Sequence, residues 1–173
     1  MTRTPSARPF VFDPALDLEI ERVVPVSASH LWRGWTDPET LKQWFCPRPW
    51  RVTHSEIDLR PGGRFFNVME GPAGERHERH ELLGSFLEIV PERRLVFTGL
   101  LGPDFRPLPA PPGVPLFTGL VLLEPLPDDQ TRYIARAMHA DTAARDAHAA
   151  MGFHQGWNAA LDQLVELATA SRR

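Results

Sequence analysis

The last thirty residues or so constrain this chain more than any other stretch. From Asp141 to Ala170 the sequence DTAARDAHAAMGFHQGWNAALDQLVELATA contains no proline, which allows about eight turns of helix, roughly 40 Å long. At about 100° per residue, Ala150, Phe153, Trp157, Ala160, Leu161, Leu164 and Ala168 share one side, with His148, Gln155, Asp162 and Glu166 opposite. Asp141 is placed as the N-cap, its carboxylate accepting from the first free amides. A helix with so long an apolar side needs an equally long partner. The preceding chain offers strands, so the expectation is a helix laid across a sheet. Gly152 and Gly156 each weaken that helix by about 1 kcal/mol relative to alanine. They read either as a tolerated bend or, with Ala149 and Ala159, as a flank of small residues. Such a flank suits close approach of another backbone, from this chain or from a second copy in a homodimer.

Upstream the pattern changes. Residues 1–15 hold three prolines and little periodicity, and read as a loose N-terminal arm ahead of one domain over 16–173. Leu16, Leu18 and Ile20 alternate with Asp17, Glu19 and Glu21, the mark of a half-buried strand that ends near Pro25. Ser27 can cap a short helix carrying Leu31, Trp32 and Trp35. Asp37-Pro38-Glu39 starts a second one, with Leu41, Trp44 and Phe45 as its apolar side. Extended stretches follow at 50–59, 64–70, 82–90, 95–101, 117–124 and 131–140, with Arg60-Pro61-Gly62-Gly63 suited to a type II turn. Residues 102–115 hold six prolines and are expected to form no regular element, crossing the surface as a lid or as a passive insertion. The fold class is α+β: a curved antiparallel sheet of six to seven strands, two short helices after the first strand, and the long helix last.

Composition excludes several roles. Hydrophobic residues at 42% and charged residues at 24% suit a folded, water-facing domain, and a net charge of −3 gives no pull toward nucleic acid or an anionic membrane. The one cysteine, Cys46, has no partner for an internal disulfide, and the N-terminus lacks the apolar core of a signal peptide, so a cytoplasmic address is expected. His77 and His80 in ERHERHE have the wrong spacing for a helical zinc site and read as a charged surface segment. No triplet of metal-ligand type and no phosphate-binding loop is recognisable, so neither metal nor cofactor is expected.

Three separated motifs, WTDPETLKQWF, IDLRPGGRF and MGFHQGWNAALDQL, resemble those of the SRPBCC (START-like, helix-grip) superfamily. Within it they are most similar to the branch named after the C-terminal domain of the heat-shock-protein-90 ATPase activator. The resemblance covers about residues 16–170. It implies a curved sheet gripping the long helix, with a cavity between them whose mouth is bordered by the short helices and loops. It does not choose among the family's lipid carriers, polyketide cyclases and activator domains.

Strand alternation then nominates a cavity lining. If Arg132 and Arg136 face water, Tyr133, Ala135, Ala137 and His139 point inward. Leu83, Ser85, Leu87 and Ile89 oppose Glu88, and Phe65, Asn67 and Met69 oppose Arg64. Trp44 and Phe45 from the short helix, and His154 and Trp157 from the long one, complete the set. The same residues could simply fill the core. Three functions are open: binding a small hydrophobic or aromatic ligand without turnover, a cyclase- or aromatase-like enzyme using His139, His154 or Asn67 to move a proton, and a chaperone-activator-like interaction domain. The first asks only for a cavity and is the expectation carried forward; no residue is assigned as catalytic.

Overall fold

The computed structural model describes residues 10–170. Strand β1 (Asp17–Val24) is followed by helices α1 (Ala28–Thr36) and α2 (Pro38–Leu41), then by β2 (Arg51–Ile57), β3 (Arg64–Ala73), β4 (Arg76–Val90) and β5 (Arg94–Thr98). A two-residue pair, β6 (Leu101–Gly102) with β7 (Arg106–Pro107), precedes β8 (Thr118–Leu126), β9 (Gln130–Met138) and helices α3 (Thr142–Ala150) and α4 (Phe153–Ala170). Seven strands form one antiparallel sheet in the order β1-β9-β8-β5-β4-β3-β2. The first two strands therefore sit at opposite edges, and α1 with α2 carries the chain from one edge to the other. This is the α+β arrangement expected of a helix-grip fold.

Local sequence explains the short helices. Ser27 Oγ accepts from the His30 amide at 3.4 Å to start α1. Asp37 ends α1 by donating its amide to Arg33 O and opens α2 by accepting from the Thr40 amide at 3.1 Å. The Trp44 indole N–H then donates to Gly34 O at 2.9 Å, folding the chain after α2 back onto α1. Gly34 lets α4 pack closely there, because a Cβ would stand 2.5 Å from Leu164 Cδ1 and push that side chain aside.

The C-terminal helix is not continuous. At Met151–Gly152 it breaks, with Gly152 at φ +92°, and α4 starts afresh at Phe153. Gly152 acts as the left-handed residue that ends α3, a conformation glycine adopts without a Cβ clash. Neither glycine answers to backbone close approach: a Cβ on Gly152 or Gly156 would meet only a side-chain atom, at 3.8 Å. Beyond the break the predicted phase holds, with Phe153, Ala160, Leu161, Leu164 and Ala168 buried. Before it the phase fails, since Ala150 is exposed and His148 is half-buried.

Three further expectations change. The 102–115 stretch is not wholly irregular: β6 and β7 close a tight turn through Pro103–Phe105, and Asp104 donates its amide to Gly62 O at 2.8 Å. Proline tolerates this because so short a ladder needs its carbonyl and not an N–H. In β4 a bulge between Phe86 and Glu88 inserts Leu87, so the alternation anchored on Glu88 does not carry upstream. Ile89 packs against the core as expected, but upstream of the bulge Phe86 takes the inward place, and Ser85 is buried with its hydroxyl donating to Phe86 O. Finally, Arg136 does not face water. Its side chain is 7% exposed, pairs with Glu19 at 2.6 Å, donates to Phe10 O at 2.8 Å and lies over the Phe12 ring. Residues 10–13 cover that part of the outer face; residues 1–9 of the predicted arm lie outside the described residues.

Candidate functional site

Between the sheet's inner face and α4 lies a cavity of about 300 Å³. The segment after α2 supplies Trp44, Phe45, Cys46 and Pro47; Trp35 comes from α1, and Met69, Leu82, Phe97 and Tyr133 from the sheet. Helix α4 gives Gly156, Trp157 and Ala160; α3 and the break give His148 and Met151; and the proline-rich stretch gives Val114 and Pro115, with Phe117 just beyond it. Leu82, Val114 and Met151 are also solvent-exposed and mark the mouth.

Aromatic edges set the shape. The Trp35 ring meets Trp44 at 5.0 Å and Phe45 at 5.7 Å, both edge-on. Across the cavity, Trp157 lies 4.5 Å from Phe153 and 5.8 Å from Phe117. The Phe45–Pro47 wall is held by one side chain. Gln163 of α4 donates to Trp44 O at 3.0 Å and to Cys46 O at 2.9 Å, and its oxygen accepts from the Arg48 amide at 3.0 Å. A single amide thus satisfies three backbone groups of a loop that has no ladder of its own.

Three polar groups interrupt the apolar lining. Burial pushes the Cys46 thiol up to about 11, so it stays protonated and is a poor nucleophile. Burial likewise holds the Tyr133 phenol protonated; its oxygen accepts from the Trp35 indole N–H at 3.1 Å. His148 is the third. Its ring sits 4.9 Å from Phe117 and 5.3 Å from Phe153, and burial, with a smaller contribution from His139, pulls its pKa down to about 4. It is neutral at pH 7.

Of the residues nominated from sequence, Trp44, Phe45, Met69, Tyr133 and Trp157 surround the cavity. Phe65 lies behind the wall, 6.1 Å from Phe45 and 5.2 Å from Phe97. Asn67 is 1% exposed and does not line it, and its Oδ1 has no partner among the described residues. Ser85 and Leu87 are displaced by the bulge. His139 is buried behind His148, donating from Nδ1 to Leu16 O at 2.8 Å. His154 is exposed on the first turn of α4, its ring edge-on to Phe153 at 5.1 Å, and does not line the cavity. Sequence periodicity missed His148 because it assumed one continuous helix; reading Gly152 as a helix terminator would have released that segment from the phase of α4. Among the described residues no three His, Cys, Asp or Glu side chains converge as metal ligands, and no helix is long and apolar enough to cross a membrane.

This architecture is shared with solved structures. Protein NE0264 from Nitrosomonas europaea is 40% identical, with 93% of this chain and 99% of that chain covered and a TM-score of 0.85. Ms6760 from Mycobacterium smegmatis is 25% identical over 88% of this chain and 90% of that chain, at a TM-score of 0.71. The AHSA1-like protein from Aeromonas hydrophila shares the fold at 21% identity, 90% and 94% coverage and a TM-score of 0.63. No curated protein matches. Residues 25–169 match the family model described as Activator of Hsp90 ATPase homolog 1-like protein, and the chain belongs to that family.

Proposed function

We propose that the domain binds a small, flat, largely apolar molecule in the cavity between the sheet and α4. Family membership admits either a ligand-binding or an activator-like role, and the cavity favours the first. The observation that carries this reading is its volume of about 300 Å³ with aromatic walls on both sides, at the lower end of the range for small-molecule sites. A ring inserted between Trp44 and Trp157 exchanges water for apolar surface at about 25 cal/mol per Å². The proline-rich segment serves as the lid, since Val114 and Pro115 lie at the mouth.

Binding to the folded state alone stabilises by mass action, so a ligand should raise the melting temperature progressively with its concentration. A panel of mono- and bicyclic aromatics scored by thermal shift and tryptophan fluorescence tests this, with Trp157→Phe as control. The expected result is saturable stabilisation that weakens in the variant. A panel with no saturable binder, or one whose binding ignores Trp157→Phe, would reject the reading.

A further inference from the structure

His148 and His139 form a chain of hydrogen bonds anchored on the Leu16 carbonyl, and for the neutral pair its direction follows from that carbonyl. His139 Nδ1 lies 2.8 Å from Leu16 O, and a carbonyl can only accept, so Nδ1 carries the proton. In neutral His139 the other nitrogen, Nε2, then has the lone pair. His148 Nδ1 lies 2.9 Å from that Nε2 and must be the donor. Neutral His148 is therefore protonated on Nδ1 and bare on Nε2. That Nε2 has no hydrogen-bond partner among the described residues, and His148 lines the cavity. The Leu16 carbonyl is itself fixed, because it also accepts from the His139 backbone amide at 3.1 Å.

We infer that the cavity selects ligands carrying a hydroxyl donor, such as a phenol or an enol, which donates to His148 Nε2 while the ring fills the aromatic space. This deepens the binding reading above and rests on it. The selection has a physical origin. An acceptor enclosed by Phe117, Phe153 and Trp157 loses water when an apolar ligand enters, and an unpaired acceptor there costs more than a paired one gains. A ligand with a hydroxyl at that point avoids the penalty. The depressed His148 pKa supports the same assignment, since the ring remains an acceptor throughout the neutral range. His139 is a positioning residue: it touches no ligand and fixes which nitrogen of His148 is bare.

Two measurements on the whole protein test this. The first needs no ligand. Nitrogen-15 NMR of the imidazoles at pH 7 should show His148 with Nδ1 protonated and Nε2 unprotonated; the reverse tautomer would overturn the inference. The second compares 2-naphthol with 2-methylnaphthalene, which have similar shape but differ in the donor. The Kd ratio favouring the hydroxyl should fall about tenfold or more from the native protein to His148→Phe. His139→Phe should reduce the ratio without removing any group that contacts the ligand. Saturable binding of both compounds with an unchanged ratio would overturn the selectivity alone. Failure of both to bind would overturn the cavity reading and this inference with it.

Discussion

Helices α3 and α4 lie on either side of Gly152 and do different work. Helix α4 buries Phe153, Ala160, Leu161, Leu164 and Ala168, and its apolar side is the seam that closes the fold. Helix α3 buries no residue fully, yet it brings His148 to the cavity. A continuous helix in the phase of α4 would have turned His148 toward solvent. The break lets α3 present His148 in a phase of its own, against Phe153 and Trp157 of the helix that packs the core.

The largest effect expected from this contrast is on stability. Phe153→Ala removes a ring that is 2% exposed and should cost about 3–5 kcal/mol, whereas Met151→Ala, at a position 68% exposed, should stay within about 0.5 kcal/mol. Urea titration of the two variants checks the asymmetry, and comparable losses would erase it. Next comes Gln163→Leu, which strands three backbone groups of the 44–48 wall and should cost about 2 kcal/mol. Hydrogen exchange should quicken in that wall and leave α3 unchanged. Gly152→Ala places a Cβ on backbone at φ +92° and should cost about 1–2 kcal/mol. It should also lower affinity for the aromatic probe, because the angle that delivers His148 is disturbed.

The smallest effect is on pH dependence. The His148 pKa is lower when folded, about 4, than the ordinary 6.5 of the unfolded chain. Between those values the unfolded state binds more protons, so stability present at pH 7 is lost as pH falls through that window. The ring is partly solvated, which limits its share to about 1 kcal/mol. Melting curves from pH 7 to pH 4 should therefore fall less steeply for His148→Phe than for the native protein. Parallel curves would mean that His148 titrates as if exposed.

What the sequence disclosed was whatever depends on neighbours along the chain. Ser27 and Asp37 announce the short helices because a cap bonds within three residues. Leu161 and Leu164 announce the core face of α4 because a helix repeats. Trp44 and Trp157 reach the cavity from such local elements. The misses share the opposite property. Ser85 and Leu87 were misplaced by a bulge, which changes strand parity without a clear marker in composition. Arg136 was assigned to solvent although residues 10–13, far away in sequence, cover it. Gln163 resembles any polar residue on a helix until the 44–48 backbone is folded beside it. His148 depended on one glycine being read as a terminator instead of a weak point.

The edge strand β1 sets the timetable of assembly. Its partner is β9, with Asp17 opposite Met138, and the Leu16 carbonyl that orients the histidines is 123 residues from His139. Contacts this distant in sequence are slow to form, because the chain entropy lost in closing them comes before the contacts that reward it. Hairpins β2–β5 and β8–β9 can zip locally, but β1 cannot join until β9 is in place. The hydrogen bond between His139 and Leu16 is thus made only in a chain that has closed its sheet at β1.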